Sequence, residues 1–118
     1  MDLEVMLNAY IRAALWSTFL EDGAAMDSRY SEDDLAPVAR RKMADDCRDF
    51  FNAHEVNLTV VGAEAAGIDF WLTRNRHGAG FWDRGLGDLG KRLTDAANAF
   101  GECELYVGDY GKLYLQPG

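Results

Sequence analysis

The spacing of apolar residues changes along the chain, and that change limits the folds open to it. Before residue 68 apolar side chains recur at intervals of three and four, the mark of helices with one buried stripe. From Ile68 they alternate, Ile68, Phe70 and Leu72 interleaving with Asp69, Trp71 and Thr73, which is the period of a strand with one covered face. A helical stripe returns at Leu86, Leu89, Leu93, Ala96, Ala97 and Phe100, and alternation returns in "CELYVGDYGKLYL", residues 103–115. The order helices, hairpin, helix, hairpin predicts an α+β domain in which a four-stranded antiparallel sheet packs on helices. At 118 residues the chain is read as one domain, 1–118, with enough length for a single core.

Caps and breakers punctuate this order. Asp2 is the expected N-cap of a first helix that carries Leu3, Met6, Leu7, Tyr10, Ile11 and Ala14, runs to about Leu20 and stops near Gly23. Within the connector that follows, "SEDD" reads as a capping box in which Ser31 caps and Asp34 answers. Pro37 opens a second helix whose apolar positions are Val38, Ala39, Met43, Cys47, Phe50, Phe51 and His54, while Asp45 and Asp46 are read as part of a solvated face. "LTVVGAEAAG", residues 58–67, reads as a short third helix closed by Gly67, with "NLTVV" competing as a strand.

In the first hairpin, Leu72 is expected opposite Phe81 and Trp71 opposite Trp82, around a turn in which Asn75 and Gly78 supply positive φ. Asp88 is the expected cap of the last helix and Gly101 its stop. In the second hairpin Val107 should meet Leu113, Tyr106 meet Tyr114 and Leu105 meet Leu115, with Gly111 left-handed in the turn.

The net charge of −8 is uneven: residues 1–60 hold twelve acids against six bases, and residues 61–118 hold eight against six. Such a field repels nucleic-acid backbones and suits solubility or a basic protein partner. The densest part is the connector, with Glu21, Asp22, Asp27, Glu32, Asp33 and Asp34 against Arg29 alone. Acids rather than bases open the chain and no apolar run has membrane length, so a cytoplasmic protein off the membrane is expected, with Cys47 and Cys103 as free thiols.

No assembled chemistry stands out. Cys47 and His54 lie seven apart on one helix face, too far for joint ligation, so no metal is expected. "GLGDLG", residues 85–90, lacks the βαβ setting of a dinucleotide fingerprint, so no cofactor is expected. The chain is read as a binding protein rather than an enzyme, a hydrolase using His77 with Asp69 or Asp83 being the weakest reading. Two binding surfaces are singled out besides the acidic connector. One is the hairpin tip with Arg74, Arg76, His77 and Arg84, suited to phosphates or bases. The other is an aromatic sheet face formed by Trp71, Trp82, Tyr106 and Tyr114, suited to a protein partner or a second copy of the chain.

The stretches "DFWLTRNRHGAGFWDRGLGDLGKRLTDAANAFG" and "ELYVGDYGKLYL", with "YIRAALWST" and "SEDDLAPVARRKMADDCRDF" before them, resemble a family of small, mostly uncharacterised phage and prophage proteins with the signature "DFWLTRNxHGAGFWDRG". The resemblance covers nearly the whole chain. It departs at Ile68, where the family often has His, at Arg76, where it often has Gly, and at Tyr110, where it often has Asp. What it implies is a setting: a phage accessory protein that binds and modulates or inhibits host or defence machinery, of the anti-CRISPR or anti-restriction kind; a basic, nucleic-acid-handling partner is what the acidic field suits. The alternative reading is a nucleic-acid or nucleotide binder working through the arginine-rich tip.

Overall fold

The first helix begins where a cap is available. In the computed structural model, which describes residues 2–117, Asp2 Oδ1 accepts from the amides of Glu4 (2.9 Å) and Val5 (3.3 Å). α1 (Leu3–Ser17) follows and buries Met6, Ala9, Tyr10, Ile11, Ala13 and Ala14. It ends before Leu20, because the backbone turns extended at Thr18, whose hydroxyl donates back to the Ala14 carbonyl at 2.7 Å. Phe19 then bridges to Ala25 across a tight loop containing Gly23 at φ 88°. Two short 3-10 turns, Met26–Ser28 and Glu32–Asp34, complete the connector. The second is held by the Ser31–Asp34 capping box, as its sequence requires.

α2 (Pro37–Val61) starts on its proline and bends at His54, where φ is −134° and ψ 28°. Its inner face buries Ala39, Met43, Cys47, Phe50 and Leu58, and also Asp46. The expected helix at 58–67 is not a unit. Gly62, at φ 98°, ends α2 with its amide on the Leu58 carbonyl (2.9 Å) and opens α3 with its own carbonyl on the Ala66 amide (2.8 Å). Only glycine adopts that backbone at little cost.

The largest correction lies here. The residues expected to form a first strand belong to α3 (Ala63–Arg74), and the remainder of that expected hairpin is a loop with a 3-10 turn at Phe81–Asp83. Trp71 and Trp82 do not pair across a sheet, nor do Leu72 and Phe81. The alternation was misleading because α3 is enclosed on nearly all sides, burying Asp69, Phe70, Trp71, Leu72, Thr73 and Arg74 in succession. A helix without a wet face has no amphipathic period to display.

α4 (Asp88–Asn98) begins after Gly87, so Asp88 is its first residue rather than its cap, and the chain leaves it through Gly101 at φ 81°. β1 (Cys103–Val107) and β2 (Leu113–Pro117) form the second hairpin. Its register is the expected one: Val107 with Leu113, Tyr106 with Tyr114, Leu105 with Leu115. This two-stranded antiparallel ribbon replaces the four-stranded sheet. It is tied to the start of α2 by the Ala36 amide on the Leu113 carbonyl at 2.9 Å. α+β holds only in the coarse sense that four helices accompany one hairpin.

The core is aromatic. Phe50 and Phe70 stack at 4.2 Å, Phe100 meets the Phe70 ring edge-on at 5.0 Å, and Tyr10 meets Trp71 edge-on at 5.3 Å. No helix among the described residues is long and apolar enough to cross a membrane.

α1 and α3 pack backbone against backbone at Gly67, which sits inside α3 rather than at a helix end. A methyl group there would collide with the Met6 carbonyl and lie 2.9 Å from the Tyr10 amide. Gly67→Ala is therefore expected to destabilise the protein by about 1–3 kcal/mol despite the better helix propensity of alanine. Urea denaturation of the two proteins measures the difference.

Candidate functional site

The stretch from Asp69 to Arg84 is where sequence placed the tip, and most of its polar residues hold the fold together. Arg74 is buried at the centre of the molecule. Its Nη1 donates to Asp46 Oδ2 (2.8 Å) and to the Tyr10 hydroxyl (3.1 Å), Nε to the Gly101 carbonyl (2.8 Å) and Nη2 to the Phe100 carbonyl (3.0 Å). The guanidinium also lies 5.6 Å from the ring centres of both Phe70 and Phe100. Asp46 is completed by Lys42 Nζ at 2.7 Å. Arg74 is thus a buried cation with four of its five N–H groups bonded, and not a tip residue, and Asp46 is not on a solvated face.

Arg84 is also engaged. It grips the buried Asp69 carboxylate with Nη2 on Oδ1 (2.8 Å) and Nε on Oδ2 (3.2 Å), joining α3 to the loop. Asn75 donates to the Trp71 carbonyl (3.1 Å) and accepts from the Cys103 amide (2.8 Å), fixing the start of β1. Thr73 Oγ1 accepts from the Phe81 amide (3.1 Å), and Asp83 from the Gly80 amide (3.1 Å). Gly80, at φ 157°, presses on Thr73, whose hydroxyl a side chain there would strike.

The end of α3 explains Arg76. The Arg76 amide donates to the Thr73 carbonyl (3.1 Å) and the His77 amide to the Leu72 carbonyl (3.0 Å). These two bonds are a Schellman cap, whose first residue past the cap is left-handed and usually glycine. Arg76 occupies it at φ 57°. The positive φ expected at Asn75 and Gly78 falls on Arg76 instead. Its side chain is exposed, with Glu102 at 3.6 Å.

Among the described residues the side chains of Arg76, His77 and Trp82 make no hydrogen bond, Arg76 having only its ion pair with Glu102. All three line one cleft with Thr73, Thr94 and Asn98. The expected aromatic face is not assembled. Trp71 is in the core with its indole N–H on the Ser17 hydroxyl (2.9 Å), whereas Trp82 is 55% exposed. Tyr106 and Tyr114 do stack, 5.9 Å apart on the ribbon.

The acidic connector folds against α1 and α3 and builds a second, larger cleft of about 520 Å³. Trp16 and Tyr30 give it aromatic walls, and Asp27, Glu32, Glu64 and Arg12 line it. Glu64 is 4.0 Å from Arg12 and Glu32 is 3.9 Å from Arg40, while Asp27 has no ion-pair partner among the described residues. Of the other connector acids, Asp22 is paired with Arg29 at 2.6 Å, Asp34 caps, and Glu21 and Asp33 are exposed outside this cleft.

Burial pushes the Cys47 thiol well up, helped by the neighbouring Asp46, and pushes Cys103 up as well. Neither is poised as a nucleophile. Among the described residues no group of three or more His, Cys, Asp or Glu side chains is placed to hold a metal ion. No protein-family model, curated protein or solved structure matches the chain.

Sequence reading missed Asp46, Trp16, Tyr30 and Asn98. Asp46 alone had a signal, because it falls three residues after Met43 and four before Phe50 on the covered stripe, where a carboxylate requires a cation.

Two stability measurements test this division of labour. Arg76→Gly relieves the left-handed backbone and is expected to stabilise the fold by about 0.5–1 kcal/mol in urea denaturation. Trp71→Ala is expected to cost about 3–5 kcal/mol, whereas Trp82→Ala should stay within about 0.5–1 kcal/mol of the parent. Equal losses at the two tryptophans would contradict the placement.

Proposed function

We propose that this chain is a non-enzymatic, phage-derived binding protein that modulates or inhibits a host or defence complex by docking on a basic segment of it. The observation that carries this reading is the cleft between α1, the connector and α3. Its aromatic walls, Trp16 and Tyr30, stand beside Asp27, Glu32 and Glu64; Arg40 faces Glu32 and Arg12 faces Glu64, which leaves Asp27 without an ion-pair partner among the described residues. An arginine or lysine side chain entering there gains a carboxylate partner and an aromatic face together. The net charge of −8 would steer such a partner towards the cleft and speed its encounter. The sequence resemblance supports the phage setting.

The partner belongs in the cytoplasm of an infected or lysogenic bacterium on this reading. A basic segment is also what a nucleic-acid-handling complex exposes. Complexes of this kind depend on salt, because exposed charges are screened over roughly 8–10 Å at physiological ionic strength.

Affinity capture from a bacterial lysate, with and without phage infection, tests the proposal. The native chain is expected to recover a specific basic protein that washes off with rising salt, and the Trp16→Ala/Asp27→Asn double variant is expected to lose it. Recovery of the same proteins by both chains would overturn the assignment of this cleft.

A further inference from the structure

The end of α2 carries an apolar ridge that the fold leaves bare. Beyond the bend at His54, Leu58 is buried in the core, while Val56 and Val60 are 81% and 68% exposed. The two valines lie one turn apart on the same side of the helix. Exposed helical positions ordinarily favour unbranched residues, because a β-branched side chain loses rotamer freedom against the preceding turn. These valines therefore serve neither the core nor the helix. Between Glu55 and Glu64 the chain has no charged residue, although 27% of its residues are charged. Thr59 is exposed as well, and its hydroxyl donates within the helix to the Glu55 carbonyl at 2.8 Å.

Beside the ridge lies a groove of about 340 Å³ between the end of α2, α3 and the loop before α4. Val60 belongs to both, and Val61, Ala65, Ile68 and Leu86 line the groove with it. The two charged residues of the lining, Asp69 and Arg84, are bonded to each other at 2.8 Å and form a neutral pair. Such a groove gains most from an apolar occupant.

We infer that the chain self-associates through this surface, as a two-fold dimer in which the Val56–Val60 ridge of each copy enters the groove of the other. Two observations select a second copy over another partner. Ridge and groove adjoin on one surface and share Val60, the arrangement a two-fold interface requires, because each copy then offers and receives the same patch. Charge points the same way. Whole copies at −8 repel one another, so they approach at least cost where the surface is neutral, as it is over residues 56–63. A basic partner is drawn instead to the acidic residues elsewhere. The surface contains none of the aromatic residues singled out in the sequence for a contact between copies. It does not depend on the basic partner proposed above, and the two contacts respond to salt in opposite directions.

Sedimentation equilibrium of the full chain, from micromolar to millimolar concentration and at low and high salt, tests the inference. A monomer–dimer equilibrium is expected, strengthened by salt, because screening removes the repulsion between acidic copies and leaves the apolar contact in place. Val56→Glu/Val60→Glu should weaken dimerisation by more than about tenfold, since it sets unpaired carboxylates in an apolar contact. Its urea midpoint should stay close to the parent's, because both valines are exposed. Ala65→Glu, on the groove side and also exposed, should weaken the dimer in the same way. Val38→Glu, at an exposed valine near the opposite end of α2, should leave it unchanged. A chain that stays monomeric throughout, a dimer that persists in Val56→Glu/Val60→Glu or in Ala65→Glu, or an equal loss in Val38→Glu would overturn the surface. Dimerisation weakened by salt would place the contact on ion pairs and overturn it as well.

Discussion

A single buried guanidinium organises this protein. Arg74 lies at the end of α3 and reaches α1 through Tyr10, α2 through Asp46, and the exit of α4 through the carbonyls of Phe100 and Gly101. Removing a cation from water is expensive unless every donor finds an acceptor. Here the acceptors come from three separate parts of the chain, so the charge can be enclosed only when those parts are correctly placed. The aromatic cluster supplies most of the burial, but apolar packing tolerates many arrangements. The Arg74 network selects among them, and the two phenyl rings beside the guanidinium complete its surroundings.

The same need for satisfied polar groups explains which parts of the fold were legible in sequence. Ends were legible because caps act locally: Asp2, the Ser31–Asp34 box, Pro37 and Gly101 are found where their chemistry puts them. The terminal hairpin was legible because one face of its ribbon is covered and the other is wet, so alternation survives. α3 was not legible. Its polar residues Asp69 and Thr73 look like a strand's outer face and Arg74 like a residue of the turn, yet each is turned inward to a partner 8 to 28 residues away. No local pattern encodes such a partner.

The candidate sites divide along the same line. The motif that attracts notice in sequence, from Asp69 to Arg84, is mainly architectural. Its prominent arginines differ entirely in role: Arg74 is structural, Arg84 locks a loop, and Arg76 alone faces outward. Reading the motif as a cluster of binding charge overlooks that a charged residue can be a core residue if its partners are. The acidic connector was visible as charge, but its pairing with Trp16 and Tyr30 depends on how the connector folds back, which composition does not specify.

The span of the Arg74 network also governs when the protein can become native during synthesis. Chains emerge from the ribosome in order, and early segments begin to collapse before later ones exist. Tyr10, Asp46 and Arg74 are available early, yet two of the guanidinium's acceptors, the carbonyls of Phe100 and Gly101, arrive only after α4 has been made. Until then the nascent helices carry a cation that lacks part of its shell, and water must remain at the heart of the bundle. Completion of this shell is thereby deferred until α4 and its exit have been made.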